Sequence, residues 1–345
     1  MDYELSESQR LLKRAAADFF AREYPLDRLR EFRHDRDANE RALWTAISGM
    51  GWTAAPFSEE VGGYPGSFMD AAVLLEEMGR GACASPFVHS TIAAGLALAE
   101  AGHPLGKGIA AGEAVAVMAP RTVRSAVQQS ADGHLDGTCL AVPWVNLATH
   151  YLVPIDEHRF ALLDASAVTA TRLDSAGSDC IGQLQIHDAE VAALLDLGDT
   201  GVVCGGAGVA LVLLGTGSRA LDLAVAYAKE RIQFGKPIGA FQALQHKCAD
   251  MLIALEAGRN LAYKAATLYG QDGFARLARY AKAYLGEAVP RITRDAIQVH
   301  GGVGFIDDHK VQLCYRLALG LANSYGRPGD LRRDVAMAQL ATARR

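Results

Sequence analysis

The chain has 345 residues, half of them apolar, enough for a large buried core and, by length, for two or three domains. Lysine and arginine number 34 against 39 aspartates and glutamates, giving a formal charge of -5 and a pI near 6.1, which excludes the basic surface that grips nucleic acid. The six cysteines, Cys83, Cys139, Cys180, Cys204, Cys248 and Cys314, form no CxxC pair and no Cys/His cluster at ligand spacing, so they read as reduced, mostly buried thiols of a cytoplasmic protein, with no metal site.

The start, MDYELSESQR, is polar and lacks the basic and apolar segments of a secretory leader. Leu11, Leu12, Ala15, Phe19 and Phe20 recur at helical spacing and predict a helix over 8–23; Leu43, Trp44 and Ile47 repeat the habit over 42–50. Ser58-Glu59-Glu60-Val61-Gly62-Gly63-Tyr64-Pro65-Gly66 is rich in turn residues, and helices are expected over 67–80 and 89–101. From 114 the texture changes to β-like runs at 114–118, 141–145, 150–154, 159–163 and 181–186, short in total for a full barrel. The apolar run from Val202 to Leu214 is broken by glycines and reads as a buried helix; no run is expected to cross a bilayer. Long helices follow over 211–230, 240–268, 273–299 and 310–325, the last stopped by Gly326 and Pro328.

The expected architecture is mainly α with a small β domain. An N-terminal helical domain covers 1–113, a reduced β domain 114–196, and a C-terminal four-helix bundle 197–345. The Ala- and Gly-rich bundle helices are expected to drive oligomerisation. No internal repeat appears, and no G-x-G-x-x-G opens a strand–helix unit, so a nicotinamide site of the Rossmann type is not expected.

Three motifs stand in order along the chain. Ser58-Glu59-Glu60-Val61-Gly62-Gly63 comes first. The second is Arg231-Ile232-Gln233-Phe234-Gly235-Lys236-Pro237-Ile238-Gly239 with Phe241-Gln242 and Ala249-Asp250-Met251, and the third is Gln298-Val299-His300-Gly301-Gly302-Val303-Gly304-Phe305. Their chemistry suits a dinucleotide: a guanidinium fork matches phosphate oxygens, glycines admit close backbone approach, and a glutamine amide both donates and accepts. Together they resemble the acyl-CoA dehydrogenase family over nearly the whole chain. The resemblance implies FAD as cofactor, an acyl-CoA thioester as substrate and a place in fatty-acid or steroid degradation. In the family these arginine, phenylalanine, glutamine and glycine positions reach across a subunit interface to the adenosine-diphosphate half of a neighbour's FAD. By position they are Arg231, Gln233, Phe234, Gln242, Gln298, Gly301 and Gly302. For Phe234 and Gln242 the alternative is a turn residue and its cap.

The resemblance breaks on the catalytic side. The family desaturates the α,β bond: a carboxylate takes the α-proton while hydride leaves the β-carbon for the flavin. Counting on from Gly301-Gly302 puts Tyr325, followed by Gly326, where that glutamate commonly stands, and a tyrosine hydroxyl is ordinarily protonated at neutral pH. The other family position for the base, upstream of the arginine, corresponds to Val202-Val203-Cys204-Gly205-Gly206-Ala207, without a carboxylate. The catalytic residue is therefore unassigned. Where relatives carry T-E-P-x-A-G-S-D this chain has Met118-Ala119-Pro120-Arg121-Thr122, and where they carry W-[IV]-T it has Trp144-Val145-Asn146. Trp144 could stack on a flavin or simply pack in the β part. Asp307 and Asp308 could cap the next helix; His246 and His300 read as satisfied surface or interface histidines, and Arg316 as a salt-bridge partner.

Matches on the neighbour-serving side and losses on the catalytic side resemble the short, non-catalytic subunit of actinobacterial-type heterotetrameric dehydrogenases for steroid side chains. The expected partner is a longer acyl-CoA dehydrogenase subunit in an α2β2 assembly acting on a steroid-derived or bulky acyl-CoA. The alternatives are a homotetrameric dehydrogenase with a displaced base, a structural or regulatory partner without nucleotide, and a dehydrogenase of carrier-protein thioesters.

Overall fold

The computed structural model describes residues 4–25, 36–64, 67–122, 125–175, 177, 180–307 and 309–343. Pro65, Gly66 and Asp308, named above, lie outside the described residues. The chain forms two compact units. One gathers Met1–His34, Ala72–Ala84 and Val209–Arg345, and the other Asp35–Ala71 and Ser85–Gly208.

The elements run in the expected helical, β, helical order. The first helices are α1 (Glu7–Glu23), α2 (Arg36–Gly49) and α3 (Phe68–Arg80), and a π-helical stretch Val88–Gly95 leads into α4 (Leu96–Glu100) and then α5 (Leu105–Ala110). Ser6 and Gln9 form a reciprocal capping box that starts α1, whose buried face is Ala16, Phe19 and Phe20. Leu11, expected on that face, is 53% exposed. The Ser58–Gly63 motif is a single 3-10 turn: Gly62 takes φ 97°, and a Cβ on Gly63 would lie 1.9 Å from the Phe57 carbonyl oxygen. The two glycines are required by this turn.

Eight strands form two four-stranded sheets. The first has the order β1 (Ala116–Met118), β4 (His150–Pro154), β5 (Arg159–Asp164) and β8 (Ala193–Asp196). The second has the order β2 (Ala126–Gln129), β3 (Leu135–Pro143), β7 (Ile181–Ala189) and β6 (Val168–Leu173). Among the described residues only β1–β4 is a parallel pair, with Ala116 opposite His150. The edge strands β2, β6 and β8 escape the sequence pattern because they are short or largely polar and exposed.

The long helices are α6 (Thr200–Glu230), α7 (Gln242–Thr267), α8 (Phe274–His300), α9 (Lys310–Leu321) and α10 (Pro328–Ala343). The apolar run 202–214 and the expected helix 211–230 are one helix. That helix has the length and apolarity of a membrane span, contrary to the expectation that none would; 89% of the window is buried in the protein, as suits a core helix. The helix expected over 310–325 ends earlier, at Leu321 with Ala322 as its cap, so Gly326 and Pro328 do not stop it; Pro328 instead starts α10, which the sequence pattern hides, because proline fits the first turn, where no N–H is needed. None of the six cysteines is in a disulfide, and five are buried.

In the first unit, α3 and α6 touch backbone to backbone. A Cβ on Gly79 would lie 2.0 Å from the Val212 carbonyl oxygen, and one on Gly215 would lie 1.9 Å from that of Glu76. Between them the side chain of Glu76, 1% exposed, meets Lys13 Nζ at 3.0 Å, Arg259 NH1 at 2.5 Å and the Tyr263 hydroxyl at 2.5 Å. Burial raises the Glu76 carboxyl, but Arg259, Lys13 and Tyr263 outweigh it and hold its pKa at about 2.

Lys282 on α8 is almost wholly buried, and its Nζ donates to the carbonyls of Ala322 (2.7 Å) and Gly326 (3.3 Å), at the C-terminal end of α9 and in the turn beyond it. Among the described residues it has no acidic partner, so burial lowers its pKa to about 8. An unfolded lysine titrates near 10.5, so the native state is penalised by the buried charge below pH 8 and relieved as pH rises from 8 to 10.5. Against a Lys282→Met variant, the native chain should gain roughly 3 kcal/mol of unfolding free energy across that window. Urea unfolding of both proteins at the two pH limits measures the difference; an unchanged gap would contradict it.

Candidate functional site

Residues 231–240 follow directly from α6. Arg231 N–H donates to the Tyr227 carbonyl (2.9 Å), and the Ile238 N–H closes back onto the Arg231 carbonyl (2.8 Å). Between them, Ile232–Gln233 (β9) and Lys236–Pro237 (β10) pair as a hairpin with Gln233 opposite Lys236. Its loop residues Phe234 and Gly235 both have positive φ, 51° and 79°, the pattern of a two-residue type I′ turn. A phenylalanine there is strained by about 1–2 kcal/mol, yet Phe234 is 91% exposed. It touches Phe241 edge-on at 6.0 Å, while Lys236 lies over the Phe241 ring at 4.5 Å. The Phe234 ring thus stands outside the chain's own core. Arg231, Gln233 and Gln242 are exposed beside it, and among the described residues the Arg231 side chain makes no ion pair.

The third motif ends α8. Gln298 is exposed on the last turn. Gly301 has φ 64° and terminates the helix, and a Cβ on Gly304 would lie 2.8 Å from the Ile297 carbonyl oxygen. Gly302 is different: it is exposed, lacks positive φ, and a Cβ there would meet nothing within 4 Å. The fold explains two of the three glycines and leaves Gly302 open for something else. Beyond it Val303, Phe305 and Ile306 are exposed apolar side chains.

His300 ties the two motifs together. It is buried, not at the surface as expected, with Nδ1 2.7 Å from the Ala296 carbonyl oxygen. Its ring stacks on Tyr227 at 4.7 Å and meets His309 at 4.8 Å. Burial lowers the pKa of His300. Tyr227, whose carbonyl anchors Arg231, thus holds the hairpin root against the glycine loop. Nothing in its sequence context marks it. The next helix is capped by His309, whose side chain accepts from the Val311 N–H, and Asp307 pairs with Arg316.

The catalytic-side positions look inward. Trp144, expected as a possible flavin platform or a packed residue of the β part, is 0% exposed at φ 53°. Asn146 donates its side-chain amide to Asp37 (2.8 Å) and Glu40 (2.7 Å), and its backbone carbonyl accepts from Arg41 (3.2 Å). Arg172 braces the same carboxylates, 2.9 Å from Glu40 and in contact with Asp37. Among the described residues Trp144 Nε1 and the Asn146 side-chain oxygen, both buried, have no hydrogen-bond partner. Arg121 folds onto the Asp156 carbonyl and the Phe160 ring. Tyr325 stands half-buried at φ 57° before Gly326, with no carboxylate in the turn 322–327. Among the described residues no group of three His, Cys, Asp or Glu could hold a metal ion.

Residues 6–107 match the family model for the acyl-CoA dehydrogenase N-terminal domain, and residues 205–340 that for the acyl-CoA dehydrogenase C-terminal domain. The acyl-CoA dehydrogenase IpdE2 of Mycolicibacterium smegmatis is 30% identical, the match covering 94% of this chain and 97% of that one. Among solved structures, the Tcur3481-Tcur3483 steroid ACAD superposes with a TM-score of 0.89 at 26% identity, covering 98% of this chain and 99% of the other. The ChsE4-ChsE5 complex of Mycobacterium tuberculosis has the same fold, with a TM-score of 0.88 at 24% identity and 99% of each chain covered.

Proposed function

The chain belongs to the acyl-CoA dehydrogenase family, whose members are FAD-dependent flavoproteins, and on that premise we propose that it is the non-catalytic subunit of a heteromeric dehydrogenase. In this reading it presents Arg231, Gln298 and Gly302 to the adenosine-diphosphate half of a FAD held by a longer subunit, with Gln233, Phe234, Gln242 and Gly301 shaping the same surface. It runs no complete flavin-and-base centre of its own.

The observation that carries this is the opposite fate of the two sides. Hairpin and glycine loop are exposed and unspent, whereas Trp144 is sealed and the Asn146 amide is held by Asp37 and Glu40 and its carbonyl by Arg41. The first set fits a nucleotide diphosphate: a guanidinium without an ion pair, an exposed glutamine amide, and a glycine free of internal contacts. The second set does not fit an isoalloxazine ring. Bound FAD supplies the acceptor for the hydride that leaves the β-carbon. In this assembly the α-proton would be taken by a carboxylate of the longer subunit, since neither Tyr325 nor the segment 202–207 provides one. Exposed Leu252 and Ile253 on α7 suit an assembly interface, in keeping with an α2β2 oligomer. The similarity to IpdE2 and to a steroid ACAD supports a steroid-derived or other bulky acyl-CoA as substrate.

Gly302→Ala tests the reading cleanly. With nothing within 4 Å of the new Cβ, the variant should fold and melt like the native chain. In the co-purified assembly it should release FAD at least several-fold more readily, because the methyl stands where the nucleotide backbone approaches. Equal FAD retention in the two assemblies would sink the proposed role of the glycine loop.

A further inference from the structure

A second feature of the bundle lies apart from both sides of the flavin question. Helices α8, α9 and α10 enclose a surface pocket of about 480 Å³, within the ordinary range for small-ligand sites. Its charge is one-sided, with Arg291, Arg294 and Arg332 against a single acid, Glu287. Glu287 is already paired with Arg332. Arg291 and Arg294, by contrast, make no ion pair or side-chain hydrogen bond among the described residues. Two arginines thus line a concave site whose single acid is already paired with Arg332.

The rest of the lining is equally specific. Tyr284 and Tyr315 are half-buried, and neither phenol hydroxyl has a hydrogen-bond partner among the described residues. Ala288, Pro290 and Leu319 supply apolar wall. Pro290 lies inside α8, so it has no N–H to give the Gly286 carbonyl, an interruption tolerated in a long helix only at some cost. Residues 284, 287, 291 and 294 recur at helical spacing and place tyrosine, glutamate and both arginines on one face of α8.

We propose that this pocket binds a small organic phosphate monoester: a tetrahedral dianion held by Arg291 and Arg294 and by the two phenol hydroxyls, with an apolar or aromatic body against Ala288, Pro290 and Leu319. Guanidinium groups match phosphate oxygens bidentately, and a phenol hydroxyl donates without adding charge. The aromatic rings and apolar wall distinguish the site from one for inorganic phosphate, which has no body to bury. This binding is independent of the hairpin and glycine loop.

Phenyl phosphate is the minimal probe, titrated calorimetrically into the full chain and into its co-purified assembly. Saturable binding tighter than that of inorganic phosphate is expected in both. Each charge-assisted bond contributes roughly tenfold to a hundredfold in affinity, so Arg291→Gln combined with Arg294→Gln should weaken binding at least about tenfold. Tyr315→Phe, which keeps the ring and removes the hydroxyl, should weaken it less. Arg231→Ala, which strips the proposed nucleotide surface, should leave it unchanged and so separates this site from that one. No saturation at millimolar phenyl phosphate, or equal binding by the double variant, would overturn the proposal. Binding by the isolated chain that vanishes in the assembly would also overturn it, and would assign the arginines to acidic side chains of another subunit.

Discussion

Arg231→Ala should lower FAD retention of the assembled enzyme by at least about tenfold, the loss expected when a charge-assisted hydrogen bond to phosphate is removed. The chain itself should be untouched. The fold uses the backbone of Arg231, whose N–H meets Tyr227 and whose carbonyl meets Ile238, while the exposed side chain makes no ion pair among the described residues. Stability of the isolated chain and its association with the longer subunit should therefore match the native protein while flavin is lost. Arg231→Lys should recover only part of the retention, since an ammonium keeps the charge but not the planar fork. Equilibrium dialysis of the assembly, followed by flavin absorbance per protein, reads the effect. Full retention in Arg231→Ala would remove the hairpin from the cofactor site.

Glu76→Ala carries the largest expected cost to stability. Glu76 is the buried carboxylate on which Lys13 of α1 and Arg259 and Tyr263 of α7 converge, with Glu77 and Glu256 as secondary partners of Lys13 and Arg259, and its own backbone carbonyl is pressed against Gly215 of α6. Removing it leaves Arg259 largely buried without its main partner, and breaking a buried pair in this way costs about 3–5 kcal/mol. The acid dependence has a definite sign. The folded pKa of about 2 lies below the ordinary 4.5, so the contribution is fully present above pH 4.5 and is lost as pH falls through 2. The native chain should lose roughly 3 kcal/mol over that interval, and Glu76→Ala should lack this part of the loss. Denaturant unfolding of both proteins at neutral pH and below pH 4 measures both effects. A variant within 1 kcal/mol of native at neutral pH would contradict the account.

Much of this was legible in the sequence, for local reasons. The turn at Phe234-Gly235 shows in its glycine, though the two-stranded hairpin it closes does not, and the glycine loop follows from Gly301 and Gly304 at the end of a long amphipathic helix. The three-part order of helices, strands and helices shows in the hydrophobic period alone. What escaped the sequence depends on distant partners. Asp37 and Glu40 meet Asn146 and Arg172 across more than a hundred positions, so the commitment of Asn146 could not be read from its neighbours. Trp144 carries the same letters whether it faces a flavin or a core, and its positive φ and complete burial are visible only in the fold. Helix α10 was hidden because proline reads as a stop after one helix and as a start for the next. Tyr227 and Glu76 gain their meaning only when helices far apart in the chain are packed together.

In the proposed reading, Tyr325 and the placement of Asn146 belong together: neither the turn 322–327 nor the segment 202–207 carries a carboxylate, and the Asn146 amide is held by Asp37 and Glu40. The same reading gives the exposed Phe234, at φ 51°, a use on the partner's side.

The most direct measurement is the flavin content and mass of the chain purified alone and co-expressed with a longer acyl-CoA dehydrogenase subunit. The account predicts a colourless chain alone and a yellow mixed oligomer with one FAD for each pair of unlike subunits. One FAD per chain in the isolated protein, bleached on adding acyl-CoA, would contradict it.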